Sequence, residues 1–142
     1  RETMEIALTA AETGHLVLAT LHSRSAPSAV ERIVDACGTR SESEVRSQLA
    51  ASLRAVVSQR LLPRANRTGR VAALEVLRGT HNVASLIREG RIAQLATALQ
   101  AGRKEGMIPL EASLAELVKS NQVSRSDAEA AANDVTSLAS YL

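Results

Sequence analysis

Two of the chain's three histidines, His15 and His22, stand at the two ends of the apolar run Leu16–Leu21, in the stretch ETGHLVLATLHS. Imidazole titrates near neutrality, so it can donate to or accept from a reacting group without a large pKa shift. The two rings are seven residues apart. On one extended strand that spacing turns them to opposite faces, so they cannot share a metal ion through the strand. Their common property is their place at the strand ends. In open parallel sheets ligands bind beyond the carboxyl ends of the strands, which marks His22 as the candidate active-site residue and gives His15 a supporting place. On position alone a hydrogen-bonded structural role stays open for both. The rest of a catalytic set is missing. The sequence has no Gly-x-x-x-x-Gly-Lys-[Ser/Thr] phosphate loop, no metal-spaced Cys/His cluster and no Gly-x-Ser-x-Gly elbow, so this segment alone is not expected to be an enzyme.

Several elements must position these residues. From Glu2 to Glu12 apolar residues cover most of a helix circumference, and Gly14 follows as a C-terminal stop. The run Leu16–Leu21 is short, continuous and non-alternating, which predicts a strand buried on both faces of a parallel sheet. Ser28 with Glu31 has capping-box spacing ahead of a helical stripe that ends at Gly38, and Ser41 with Glu44 opens a second helix. Val45, Leu49, Leu53, Val56, Val57 and Leu61 then recur at steps of three and four, predicting one helix from residue 42 to Pro63. The stretch PRANRTGR reads as a basic turn, and RVAALEVL as a second strand. From Thr80 onward the pattern is helical, with segments ending near Gly102, starting behind Pro109 and opening at Ser124 and Asp127. Two units are therefore expected, an α/β part at 1–79 and a helical part at 80–142. Two strands do not make a covered parallel sheet, and the chain begins with Arg1, so the expectation is a piece of a longer protein.

Composition narrows the functions. Of 142 residues 45% are hydrophobic and 23% charged, an ordinary globular balance. The single cysteine, Cys37, sits in a helical apolar stripe and reads as a buried thiol in a reducing, cytoplasmic setting. No apolar run approaches the ~20 residues of a membrane span. A net charge of +2 and Tyr141 as the only aromatic residue argue against nucleic-acid binding, which draws on dense positive charge and stacking platforms. All but two of the basic residues, Lys104 and Lys119, are arginines, suited to forked contacts with phosphate or carboxylate.

The segment RETMEIALTAAETGHLVLATLHSRSA resembles the region that follows the Walker B motif in secretion-type and type IV pilus motor ATPases, and TGHLVLATLHS resembles their His box. The likeness continues through VRSQLAASLRAVVSQRLLPR, GRVAALEVLRGT, SLIREGRIAQL and MIPLEASLAELV. The nearest branch is the twitching-motility, or pilus retraction (PilT-like), ATPase. The resemblance implies the C-terminal portion of a RecA-like P-loop NTPase motor domain, with few parallel strands and flanking helices, plus a helical C-terminal subdomain. It implies that His22 lies near the nucleotide γ-phosphate and that His15 supports it. The retraction motif Ala-Ile-Arg-Asn-Leu-Ile-Arg-Glu matches residues 82–89, where Leu86, Ile87, Arg88 and Glu89 keep its second half and Asn82–Ser85 depart from the first. Arg88 and Glu89 read equally as a solvated charge pair or as a subunit contact. Assembly and secretion ATPases carry a tetracysteine zinc loop where this chain has PRANRTGR, so no zinc is expected. In the cluster Arg60, Arg64, Arg67 and Arg70, an inter-subunit or phosphate contact by Arg70 stands beside a merely solvated role.

The implied whole is a homohexameric ATPase using ATP and Mg2+, both held mainly by residues upstream of Arg1. It would work at the cytoplasmic face of the inner membrane on a pilus platform protein, meeting the membrane through that partner only. Two alternatives accompany it: an assembly or type II secretion ATPase without a zinc loop, and a non-catalytic interaction module derived from such a motor.

Overall fold

The computed structural model describes residues 2–37 and 41–142. Helix α1 spans Glu2–Glu12 and is closed by Gly14 at φ +92, a left-handed turn that only glycine adopts cheaply. Helix α2, Ala26–Ala36, starts earlier than the Ser28–Glu31 spacing predicts. Ser25 is its N-cap, Ser28 closes the capping box, and Pro27 sits in the first turn where its missing N–H costs nothing. The predicted stop at Gly38 lies outside the described residues, as does the starting residue Arg1.

Helix α3, Glu42–Ser52, is capped by Ser41 and ends well before Pro63. This corrects the single long helix. Residues Ala55–Pro63 form strand β1, antiparallel to β2 at Arg70–Arg78, with Ser58 opposite Glu75 and Arg60 opposite Ala73. The parallel pairing is corrected too: the described sheet is this two-stranded hairpin. Its turn is the basic one expected. Arg67 at φ 58 and Gly69 at φ 77 take left-handed conformations, and the Thr68 N–H donates to the Asn66 side chain at 3.0 Å.

Residues 15–23 form neither strand nor helix. An apolar run becomes a central strand only between neighbours, and no described residue pairs with this one. Leu16 and Leu18 are consequently 81% and 88% exposed. Val17, Ala19 and Leu21 line a groove of about 380 Å³ that separates the run from Val57 and Gln59 of β1.

Helix α4, His81–Arg88, is capped by Thr80; α5 is Leu95–Ala101, preceded and followed by short 3-10 turns; α6 is Leu110–Lys119. The one helix expected after Ser124 is two, α7 at Arg125–Ala131 and α8 at Val135–Tyr141. The break falls at Asn133–Asp134, where the Asp134 carboxylate accepts from the Thr136 N–H at 2.9 Å and caps α8.

Two apolar clusters organise these elements. The first joins Leu8, Val30, Val45 and Leu77 to Val83, Ile87, Leu95 and Met107; the second joins Leu62 and Ala73 to Leu114, Val123, Ala128 and Leu138. One face of the hairpin lies under both. Val56 and Leu77 serve the first cluster, Leu62, Val71 and Ala73 the second, and Ser58, Arg60 and Glu75 lie on the same face in between. The hairpin is therefore the common floor of the two cores, with a polar seam across its middle.

Candidate functional site

His22 directly follows the apolar run, two residues before the Arg24–Ser25 bend that leads into α2. Its side chain is exposed and makes no hydrogen bond to another described residue, while its carbonyl accepts from Arg32 Nη1 of α2 at 3.2 Å. His15 is also exposed, and its Nδ1 lies 3.1 Å from Thr13 Oγ1, a contact with the turn that closes α1. His15 thus contacts its own turn, and His22 presents a free imidazole. Among the described residues no three His, Cys, Asp or Glu side chains are placed to hold a metal ion together.

Arg70 is exposed at the first position of β2, opposite Pro63. Its companions in the basic cluster have local partners: Arg64 donates to the Gln122 side chain at 3.4 Å, and Arg67 pairs with Asp127 at 3.3 Å. Of the retraction-motif residues, Leu86 and Ile87 are buried in the first cluster and so do not belong to an exposed motif surface. Their aliphatic side chains lie on the inward face of α4, and Arg88 and Glu89 remain outside. Glu89 does not pair with its neighbour. Its carboxylate accepts from Ser85 at 2.8 Å and from Arg91 at 3.0 Å, and these two hydrogen bonds hold its pKa below the usual carboxylate value. Arg88 is left to solvent or to a partner.

Sequence reasoning missed the seam under the two cores. Glu75 is 4% exposed, and its carboxylate accepts the Ala26 N–H, the first of α2, at 2.6 Å. A carboxylate there satisfies an orphan donor and faces the positive end of the helix dipole. Glu111 is also buried, and its Oε1 accepts from the backbone N–H groups of Asn133 at 3.0 Å and Asp134 at 3.2 Å. Arg60 completes the set. Its Nη1 donates to the Ala131 carbonyl, and its Nη2 donates to the Asn133 side chain and to the Arg24 carbonyl at 3.3 Å. One sequence signal could have pointed here: Glu75 is the lone charge inside the apolar run VAALEVL.

Burial is the main cause that raises the Glu75 pKa; the Ala26 N–H opposes it, the Glu111 charge adds to it, and the Arg60 charge lowers it again. The folded state therefore binds this proton more tightly than the unfolded chain, and Glu75 loses stabilising effect as pH rises through its raised pKa. Glu75→Gln keeps an acceptor for Ala26 and removes the buried charge. Thermal melting of both proteins from pH 4 to pH 7 is expected to show the glutamine variant gaining on the parent by a few degrees as pH rises. A gap that stays constant or narrows would show that the carboxylate's charge is fully compensated by Arg60 and the helix end.

These facts bound what a nucleotide could find here. The helix end that follows His22 is already occupied by the Glu75 carboxylate and cannot also cradle a phosphate. The imidazole of His22 is free. Among the described residues, the exposed His22 imidazole and the exposed Arg70 guanidinium are groups that could each meet a phosphate oxygen.

The fold is that of the C-terminal part of an α/β secretion-motor ATPase. Residues 1–140 match the family described as Type II/IV secretion system protein, and the chain belongs to that family, on its PilT-like branch. It is 45% identical to the type IV pilus retraction ATPase PilT of Pseudomonas aeruginosa over 127 residues, 89% of this chain and 37% of that protein. It is 54% identical to the uncharacterized protein YggR of Escherichia coli (strain K12) over 112 residues, 79% of this chain and 34% of that one. A crystal structure of the pilus retraction motor PilT with bound ADP superposes with a TM-score of 0.85 at 37% identity, covering 98% of this chain and 38% of that one. The chain spans about a third of the length of the relatives it matches.

Proposed function

We propose that the chain is the C-terminal part of a motor ATPase that couples ATP hydrolysis to type IV pilus retraction. The observation that carries the reading is the free imidazole of His22 at the end of ETGHLVLATLHS, in a chain 45% identical to a retraction ATPase. The complete polypeptide would bind Mg-ATP between the subunits of a homohexameric ring at the cytoplasmic face of the inner membrane. Most nucleotide contacts would come from residues outside this chain. His22 would meet the terminal phosphate, and Arg88, Glu89 and Arg70 would face a neighbouring subunit or, for Arg70, a phosphate. Residues 1–79 would complete the ATPase core and 80–142 would be its helical subdomain, the two sharing the first apolar cluster. No described helix is long and apolar enough to cross a membrane.

The complete polypeptide is expected to hydrolyse ATP in a Mg2+-dependent manner, and a strain lacking it to accumulate surface pili and lose twitching. Loss of pili instead would assign the motor to assembly or secretion. No hydrolysis by an assembled full-length ring would leave the non-catalytic interaction module as the surviving reading.

A further inference from the structure

We propose that Arg60 is a positioning residue that ties the loop carrying His22 to the connection between α7 and α8, so that the two cores hold His22 in place together. The inference rests on the reading of His22 given above, but the tie itself is a property of this chain. Two links run from the His22 loop into the first core: Arg32 of α2 holds the His22 carbonyl, and Glu75 of β2 holds the first N–H of α2. A third leaves that core. Arg60 takes the Arg24 carbonyl with the same guanidinium that takes the Ala131 carbonyl and the Asn133 side chain. On the far side Glu111 holds the backbone N–H groups of Asn133 and Asp134, at the cap of α8.

The geometry suits arginine specifically. Three acceptors on two separate segments are met by one planar group with five donors, and its charge also faces the buried Glu75. An ammonium could satisfy part of this set, but its compact point charge does not span both segments. The hairpin beneath is shared by both cores, so a displacement of α7 and α8 reaches the His22 loop through Arg60 and not only through side-chain packing. The helical end of the molecule would thereby set how well His22 is aimed.

The test uses the complete polypeptide with Arg60→Gln and Arg60→Lys, read by amide hydrogen exchange and by ATP hydrolysis. In Arg60→Gln, exchange is expected to quicken together at residues 24–26 and at 133–134, with the core amides of α3 and α6 unchanged. The kcat is expected to fall about tenfold with KM for ATP little altered, since a misaimed contact costs turnover before affinity. Arg60→Lys, which keeps the charge and guards against loss of folding in the glutamine variant, should show the same paired loosening to a smaller degree. Loosening confined to one of the two segments, or unchanged kcat in a variant with both segments loosened, would overturn the proposal and leave Arg60 a local brace. If the parent polypeptide hydrolyses no ATP, the reading of His22 fails by itself, and the paired exchange still decides whether Arg60 joins the cores.

Discussion

His22→Ala in the complete polypeptide is expected to lower kcat for ATP hydrolysis by about a hundredfold while changing nucleotide affinity only slightly, the magnitude typical of removing one preorganised donor from a charge-developing oxygen. The reasoning starts from exposure. A buried, hydrogen-bonded histidine would lose stability when truncated, but the imidazole of His22 is exposed and unengaged, so alanine removes no packing from either core. What it removes is a donor at the end of a segment whose backbone is held by Arg32. A donor held there contributes most when charge on the phosphate oxygens redistributes in the transition state, so turnover falls and ground-state binding does not. Single-turnover hydrolysis alongside nucleotide titration separates the two quantities. Unchanged turnover would return His22 to a structural role, and weakened binding at constant turnover would make it a ground-state contact. His15→Ala is the control, because its ring contacts Thr13 in its own turn and its loss should fray the end of α1 with a much smaller effect on kcat.

How much of this was legible in the sequence depended on whether the deciding interaction was local. Gly14, Pro109 and the PRANRTGR turn punctuate the chain through their own backbone preferences, and the structure stops or turns where they stand. The helix read through residues 53–63 failed for a physical reason. Leu53, Val56, Val57 and Leu61 fit a helical period, but Val56, Arg60 and Leu62 also share one face of a strand. The choice was made by pairing with β2, which no window of neighbouring residues contains. The run Leu16–Leu21 shows the converse, since its composition suits a central strand but no described partner flanks it. At the site, the histidines were visible because their type and placement are unusual. Arg60 read only as one of four arginines and Glu111 as one of many acids. Their roles depend on the hairpin register and on where α7 gives way to α8.

The seam also explains why a chain with an ordinary apolar content keeps charge between two cores. A buried carboxylate or guanidinium is costly unless each of its polar atoms is engaged, and removing one partner leaves the others uncompensated. Here each charged group closes backbone groups that helix ends and breaks leave open: Ala26 at the start of α2, Ala131 at the end of α7, and Asn133 and Asp134 before α8. Two apolar clusters alone could slide over the hairpin floor. Directional bonds at its middle fix one relative arrangement, and the loop after His22 is anchored in that arrangement.

Gly79→Ala is expected to be the most destabilising Gly→Ala change among the described glycines, costing about 3 kcal/mol, the upper range for forcing a group into packed surroundings, and lowering Tm by roughly 10 °C for a domain of this size. Gly79 follows β2, and its N–H donates to the Arg54 carbonyl at 2.8 Å, where the hairpin begins beside the end of α3. A Cβ there would stand 2.0 Å from the Leu53 carbonyl oxygen and 2.9 Å from its carbon. That carbonyl is backbone, and the Leu53 N–H is itself fixed to the Leu49 carbonyl at 2.8 Å, so relief requires moving the end of α3 away from the hairpin. Two other glycines separate this cause from alternatives. At Gly102 an added Cβ meets the Met107 side chain at 2.5 Å, and a flexible thioether can turn aside, so Gly102→Ala should cost clearly less. At Gly69, φ is +77 with open space around it, so Gly69→Ala should show only the backbone cost of about 1 kcal/mol. Thermal melts of the three variants are expected to rank Gly79 well below the other two. Equal losses would mean that α3 and the hairpin can part without penalty, and that the floor shared by the two cores is not held at its base.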